Sequence, residues 1–198
     1  MPPRIIFLRH GETDWNVEFR LQGQHDTPLN ARGRDQAAAV GRTMRDFLGG
    51  PGAPASSGFG FVASPLGRTR ATMELARTSM GLDPAAYATD PRLMELSFGR
   101  WEGKTWSEIV AMDPWAAKAR EGDKWDFEPP GGESYEMLSV RVRPWLDALA
   151  GETFVVSHGG VARVLMAMIG GAGKAEAAQA VVAQGRALIF EDGGRRWV

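Results

Sequence analysis

The chain has 198 residues, 43% of them apolar and 24% charged, a balance that suits one folded domain with a substantial core and not a disordered or fibrous chain. Its 23 basic and 24 acidic side chains leave a formal charge of −1, so no global positive field exists to gather nucleic acid or an anionic membrane. There is no cysteine, which excludes disulfides, thiolate metal sites and any cysteine nucleophile.

The N-terminus leads into an apolar run of only four residues, Ile5 to Leu8, too short for a signal peptide. No segment approaches the ~18 apolar residues of a membrane span, and a cytoplasmic protein is the expectation. Ile5 to Leu8 instead predicts a buried parallel strand that ends abruptly in Arg9-His10-Gly11-Glu12. Asn30 is a candidate N-cap for a helix over Ala31 to Leu48, which carries Ala37, Val40, Met44 and Phe47 at helical spacing. Gly49 to Pro54 then reads as a loop. Phe59 to Ala63 predicts a second buried strand, and Gly67 to Met80 a helix with Pro65 suited to its first turn. A short strand is expected near Arg92 to Glu95, a helix over Thr105 to Met112, and irregular chain from Asp113 to Gly132. Ser134 to Ala150 predicts a helix disturbed at Pro144. Thr153 to Ser157 is the third clear strand, and Val161 to Ile169 and Ala175 to Val182 read as helices. Arg186 to Val198 reads as a hairpin turning at Asp192-Gly193-Gly194. Strands alternating with helices predict an α/β fold, a three-layer, doubly wound, mostly parallel sheet flanked by helices. Residues 1–198 read as a single domain, with 105–133 as a cap or lid over a site.

Open α/β sheets bind ligands beyond the carboxyl ends of their strands. The segments just past the three best strands are Arg9-His10-Gly11-Glu12, Ser64-Pro65-Leu66-Gly67-Arg68 and Ser157-His158-Gly159-Gly160. Together they supply two histidines and two arginines, none of which helps a core. Arginine matches phosphate with a planar fork of donors and keeps its charge, so an oxyanion is implied. A histidine can attack phosphorus through a free ring nitrogen if an acceptor holds the other one. Gly11 and Gly159 are expected to let backbone approach the ligand.

Arg9-His10-Gly11-Glu12-Thr13-Asp14-Trp15-Asn16 resembles the signature of the histidine phosphatase superfamily, the phosphoglycerate mutase-like proteins. Gln22-Gly23, Ser64 to Thr72, Glu95 to Gly103, Pro130 to Ser134 and Val156 to Gly160 follow in the order of that family along nearly the whole chain. The resemblance implies that His10 becomes the phosphohistidine and that Arg9, Arg68 and His158 bind the transferring phosphoryl group. It implies that Glu95 protonates the leaving oxygen, with Asn16, Gln22, Gly23 and Gly159 completing the substrate-binding set. Fixed cations then neutralise the charge that magnesium neutralises elsewhere, and no metal or cofactor is expected.

Arg70 competes with Arg68, but the two point about 200° apart on a helix, and the family spacing from Ser64 selects Arg68. Glu102 is expected to hydrogen-bond nearby backbone and His25 to lie exposed outside the chemistry. Trp101, Trp106 and Trp125 are candidates to line a leaving-group pocket, and Arg195-Arg196 reads as a solvated edge. Leu96-Ser97-Phe98 follows Glu95, Trp106 stands where the mutases of the family carry a lysine, and no paired arginine occurs between Asp113 and Gly132. An apolar or aromatic phosphate ester is therefore the expected substrate. Gly99 to Gly103 and Pro130 to Ser134 look most like the broad-specificity and alpha-ribazole phosphatases, which makes phosphomonoester hydrolysis the leading reading. Phosphoglycerate mutase-type transfer is the alternative, and a non-catalytic phospho-ligand binder is the third reading. Dimerisation is expected by analogy alone.

Overall fold

A computed structural model describes residues 2–50 and 58–198. The part of the expected loop from Pro51 to Pro54 lies outside the described residues. The elements run β1 (Ile5–Arg9), α1 (Asp14–Val17), α2 (Ala31–Phe47), β2 (Gly60–Ala63), α3 (Gly67–Met80) and β3 (Ala88–Thr89). Then follow α4 (Trp106–Met112), α5 (Pro114–Gly122), α6 (Tyr135–Asp147), β4 (Thr153–Ser157), α7 (Gly159–Met168), α8 (Lys174–Gln179), β5 (Ala187–Glu191) and β6 (Gly194–Trp197).

The described strands form one six-stranded sheet in the order β3-β2-β4-β1-β5-β6. Its first four strands are parallel; β5 and β6 are antiparallel and close the chain as a hairpin. The sheet is buried on both faces because β1 is apolar at every position of its run. Ile6 and Leu8 point toward Val40 and Met44 of α2 and Met73 and Ala76 of α3, while Ile5 and Phe7 point toward the side holding α6 and α7. That period-2 split of a continuous apolar run is what a parallel strand between two helical layers requires. Among the described residues no helix is long and apolar enough to cross a membrane.

Several boundaries differ from expectation, each for a local reason. Leu66 caps α3, so Pro65 lies before the helix and not in its first turn. Pro91–Leu93 is a 3-10 turn, not a strand, since Asp90 caps it through the Arg92 amide and Pro91 brings no donor for a ladder. The stretch from Asp113 is irregular only beyond Gly122: Asp113 accepts from the Ala116 amide and Pro114 opens α5, a start signal present in the sequence. α6 ends at Asp147 but passes through Pro144; the carbonyl without a helical donor belongs to Val140, which is 67% exposed. α7 starts two residues earlier than predicted, at Gly159, and α8 ends at Gln179, so Ala180 to Gln184 run as a loop past the sheet end.

Gly11 is required by packing. A Cβ there would stand 2.2 Å from the Gly33 carbonyl oxygen, so its smallness seats the loop after β1 directly on the first turn of α2.

Candidate active site

The parallel register of β1 and β4 sets the two histidines side by side. Arg9 pairs with Ser157 at the end of the ladder, so His10 and His158 are the next residues out of adjacent strands. The His10 amide donates to the Ser157 carbonyl at 2.9 Å, and the two rings meet edge to face with centroids 5.3 Å apart. β2 ends one strand over, with Ala63 opposite Val156, and Ser64 beyond it places its Oγ 2.8 Å from His158 Nε2. Arg68, in the first turn of α3, turns inward and is fully buried. It donates to the carbonyls of His25 and Gly23, both at 2.7 Å, which fixes its fork against the loop after α1. Arg70 is exposed on the other side of the helix, as its spacing required.

These residues surround a cavity of about 140 Å³. Arg9, His10, Asn16, Gln22 and Gly23 line it, with Arg68, Glu95 and Gly159. His158, fully buried beside His10, is the one predicted site residue off that wall. Sequence reasoning missed Arg20, Leu21 and Arg163, which share the wall with Phe98. The lining thus carries four arginines against one carboxylate, a strong local positive field in a chain of net charge −1. Trp101, Trp106 and Trp125 do not line it. Trp101 is core, stacked on Phe127 with Trp106 at its edge, and Trp125 stacks on Tyr135. The apolar aromatic pocket expected there is instead bounded by arginines.

Individual groups are held for specific contacts. His10 Nδ1 lies 2.8 Å from the Gly11 carbonyl oxygen; only a protonated Nδ1 makes that hydrogen bond, so Nε2 carries the lone pair. Asn16 Oδ1 accepts from the Thr13 amide and from Gln184 Nε2, at 3.1 and 3.0 Å, which leaves its amide nitrogen to donate. Gln184 also donates to the His10 carbonyl at 3.0 Å; nothing in the sequence pointed to it. Gln22 Oε1 accepts from Thr27 Oγ1 at 2.6 Å, again freeing the amide nitrogen. Glu95 Oε1 accepts from the Leu96 amide and from the Gly160 amide in the first turn of α7, both at 2.9 Å. Arg141, also missed, forks onto Glu133 and donates to the carbonyls of Arg92, Met94 and Glu95, so it holds the chain on which Glu95 sits. Glu102 accepts from the amides of Gln24 and Phe98, as expected. His25 is exposed and stacks on Trp15.

Arg9 Nε, Arg68 Nε and His158 Nδ1 are buried with no hydrogen-bond partner among the described residues. Buried nitrogen without a partner costs roughly 1–3 kcal/mol, more for a charged group, and the two arginines on the cavity wall, with His158 beside His10, suit an oxyanion. Burial lowers the Arg9 pKa to about 10, a shift opposed by Glu95 and reinforced by Arg163 and Arg68.

Burial, then Arg68 and Arg9, hold the His10 pKa well below the ordinary 6.5, and burial, Arg68 and His10 do the same for His158. Both rings stay neutral in the folded protein at pH values where the unfolded chain has already taken up two protons. Stability is therefore complete above about pH 7 and falls as pH drops through ~6.5 toward the folded pKa values, by up to about 1.4 kcal/mol per unit for each histidine. Urea unfolding between pH 7.5 and 5.5 should show this loss, and His10→Ala should remove about half of it. A flat profile would contradict the burial of neutral imidazoles.

The comparisons with known proteins agree with this geometry. A probable phosphoglycerate mutase, GpmB, of Salmonella paratyphi C is 34% identical over 162 residues, covering 79% of this chain and 69% of that protein. The alpha-ribazole phosphatase of Shigella flexneri superposes with a TM-score of 0.79 at 26% identity, over 98% of this chain and 94% of that one. A phosphoglycerate mutase of Thermus thermophilus superposes at 0.72 with 31% identity, over 98% and 96%. The sequence profile of the histidine phosphatase superfamily (branch 1) matches residues 5–198, and the chain belongs to that superfamily.

Proposed function

We propose that the protein is a metal-independent phosphomonoesterase that hydrolyses small phosphate esters through a phosphohistidine on His10. The observation that carries the reading is the tautomer lock: the Gly11 carbonyl accepts a hydrogen bond from Nδ1–H and leaves Nε2 free, in a cavity rimmed by Arg9 and Arg68. His10 Nε2 attacks phosphorus as the ester P–O bond breaks in line, and the leaving oxygen takes a proton from Glu95. Water then attacks the phosphohistidine, gives its proton to Glu95, and inorganic phosphate departs with Nε2 restored. Arg9 and Arg68 neutralise the charge on the phosphoryl oxygens, and His158, with the amide nitrogens of Asn16 and Gln22, orients them. Gly159 keeps that wall clear of a side chain, while Gly23, whose Cβ would collide with the Glu102 carboxylate, lets the binding loop close on Glu102. Residues 105–133 act as a cap on the single domain.

Glu95 depends on α7. A Cβ at Gly160 would come 2.3 Å from Glu95 Oε1 and 3.2 Å from Leu96 and Leu138. Gly160→Ala should therefore displace the carboxylate and lower kcat by about 10²-fold, the usual worth of a placed acid, while thermal unfolding shows the fold retained. Unchanged kcat would remove Glu95 from the proton role.

The second reading is mutase-type transfer, favoured by the additional cations Arg20 and Arg163 on the cavity wall. An assay of phosphate release from aromatic and aliphatic monoesters, with chelator present, separates the two. Release that survives chelator supports hydrolysis. Conversion of 3-phosphoglycerate to 2-phosphoglycerate without release would replace it by the mutase.

A further inference from the structure

The two ring nitrogens of His158 are in different situations. Nε2 lies 2.8 Å from Ser64 Oγ, and Nδ1 is buried with no hydrogen-bond partner among the described residues. Ser64 is itself fully buried, just past β2. Its amide donates to the Val156 carbonyl at 3.0 Å and its carbonyl accepts from Thr69 Oγ1 at 2.8 Å, so its backbone is clamped between β4 and the first turn of α3. The other contact of its hydroxyl among the described residues is with the Leu66 amide, which donates to it at 3.4 Å.

A neutral imidazole carries its proton on either nitrogen, and here the two choices satisfy different groups. If Nε2 is protonated and donates to Ser64, the buried hydroxyl hydrogen has no acceptor and Nδ1 keeps a buried lone pair with no donor. Both groups then carry the desolvation cost of an unpaired buried atom. If the hydroxyl donates to Nε2, its oxygen still accepts from Leu66, and Nδ1–H alone is left without a partner. That remaining group is a donor, which an oxyanion held by Arg9 and Arg68 can satisfy; a lone pair on the same atom would repel it. A ring protonated at both nitrogens is opposed by burial and by Arg68, His10 and Arg9, which hold the His158 pKa well below 6.5.

We propose that Ser64 is a positioning residue: its hydroxyl donates to His158 Nε2, fixes the ring as the Nδ1–H tautomer and so makes His158 a neutral donor to the transferring phosphoryl group. The tautomer follows from the hydrogen bonds, whereas the phosphoryl role rests on the phosphomonoesterase reading. The same hydroxyl separates the work of the two neighbouring imidazoles. Both carry the proton on Nδ1, but the Nε2 lone pair of His10 is free and that of His158 is taken by Ser64. One ring can attack; the other can only orient.

Long-range proton–nitrogen correlation on native protein with isotope-labelled histidine reads the tautomer at neutral pH, without turnover. The chain has three histidines, and His10→Ala and His25→Ala proteins assign the signals. His158 should show a protonated Nδ1 and an unprotonated Nε2, with and without inorganic phosphate. A protonated Nε2, in a neutral or a charged ring, would overturn the proposal whatever the variants do. Ser64→Ala should move the His158 Nε2 resonance, and should lower kcat and weaken binding of inorganic phosphate by on the order of 10-fold each, part of the worth of one oxyanion donor. Ser64→Thr, which keeps the hydroxyl, should retain most of both. A folded Ser64→Ala protein with native phosphate affinity and a native His158 spectrum would show that Ser64 does not set the ring. If the native protein turns over no ester while the tautomer and the Ser64-dependent phosphate binding persist, the hydrolase reading falls and the role of Ser64 stands.

Discussion

Replacing His10 by alanine is expected to lower kcat by on the order of 10⁴-fold or more and to abolish labelling of the protein by a phosphoryl donor. No other group can take over the attack. His158, the nearest second imidazole, is fully buried off the cavity wall, and its Nε2 is engaged with Ser64 Oγ at 2.8 Å. The fold should survive, since β1 is held by its pairing with β4 and β5 and by Ile5 to Leu8 in the two cores. Two measurements decide the matter: a pre-steady-state burst of the leaving alcohol ahead of phosphate with substrate in excess, and acid-labile, base-stable phosphate on the denatured protein. Residual turnover within tenfold of native would mean that water attacks the ester directly and that His10 serves only to bind it.

Arg68→Ala should have the second largest effect, and it should be felt twice. As a donor to the transferring phosphoryl group, Arg68 is worth about 10²–10³ in kcat. As a fully buried side chain it also fills the gap between α3 and the loop after α1, where its two terminal nitrogens satisfy the carbonyls of His25 and Gly23 at 2.7 Å each. Removing it leaves those carbonyls without donors, at roughly 1–3 kcal/mol apiece if water cannot enter. Thermal unfolding should therefore fall by several degrees while kcat drops. Arg68→Lys should recover the charge without the fork, keeping stability closer to native than activity. A variant that is fully stable but inactive would show that the carbonyls are solvated. One that is active would remove Arg68 from the phosphoryl site.

The sequence legibly determined the three strands Ile5–Arg9, Gly60–Ala63 and Thr153–Ser157, because a continuous apolar run that stops at charged residues has one economical fate in an α/β chain. The family resemblance carried by Arg9-His10-Gly11-Glu12 selected Arg68 over Arg70 and gave Glu102 a backbone role, and the fold buries Arg68, exposes Arg70 and sets Glu102 against the Phe98 amide. Gln184, Arg163 and Arg141 were not legible. Each reaches a partner in another element, Gln184 to Asn16 and His10 across the most chain, and a sequence carries no signal for such a tertiary hydrogen bond.

The β1–β4 register, with Arg9 opposite Ser157, is likewise a tertiary fact, since either strand alone leaves its partner undecided, and it alone brings His10 within one ring of His158. The chemistry of the wall was decided in the same way. Trp101 and Trp125 went to the core because an indole removes more apolar surface there than at a wet cavity. What the chain itself specifies is which groups end each strand; which of them meet, and what surrounds the leaving group, is set by how the two helical layers close over the sheet.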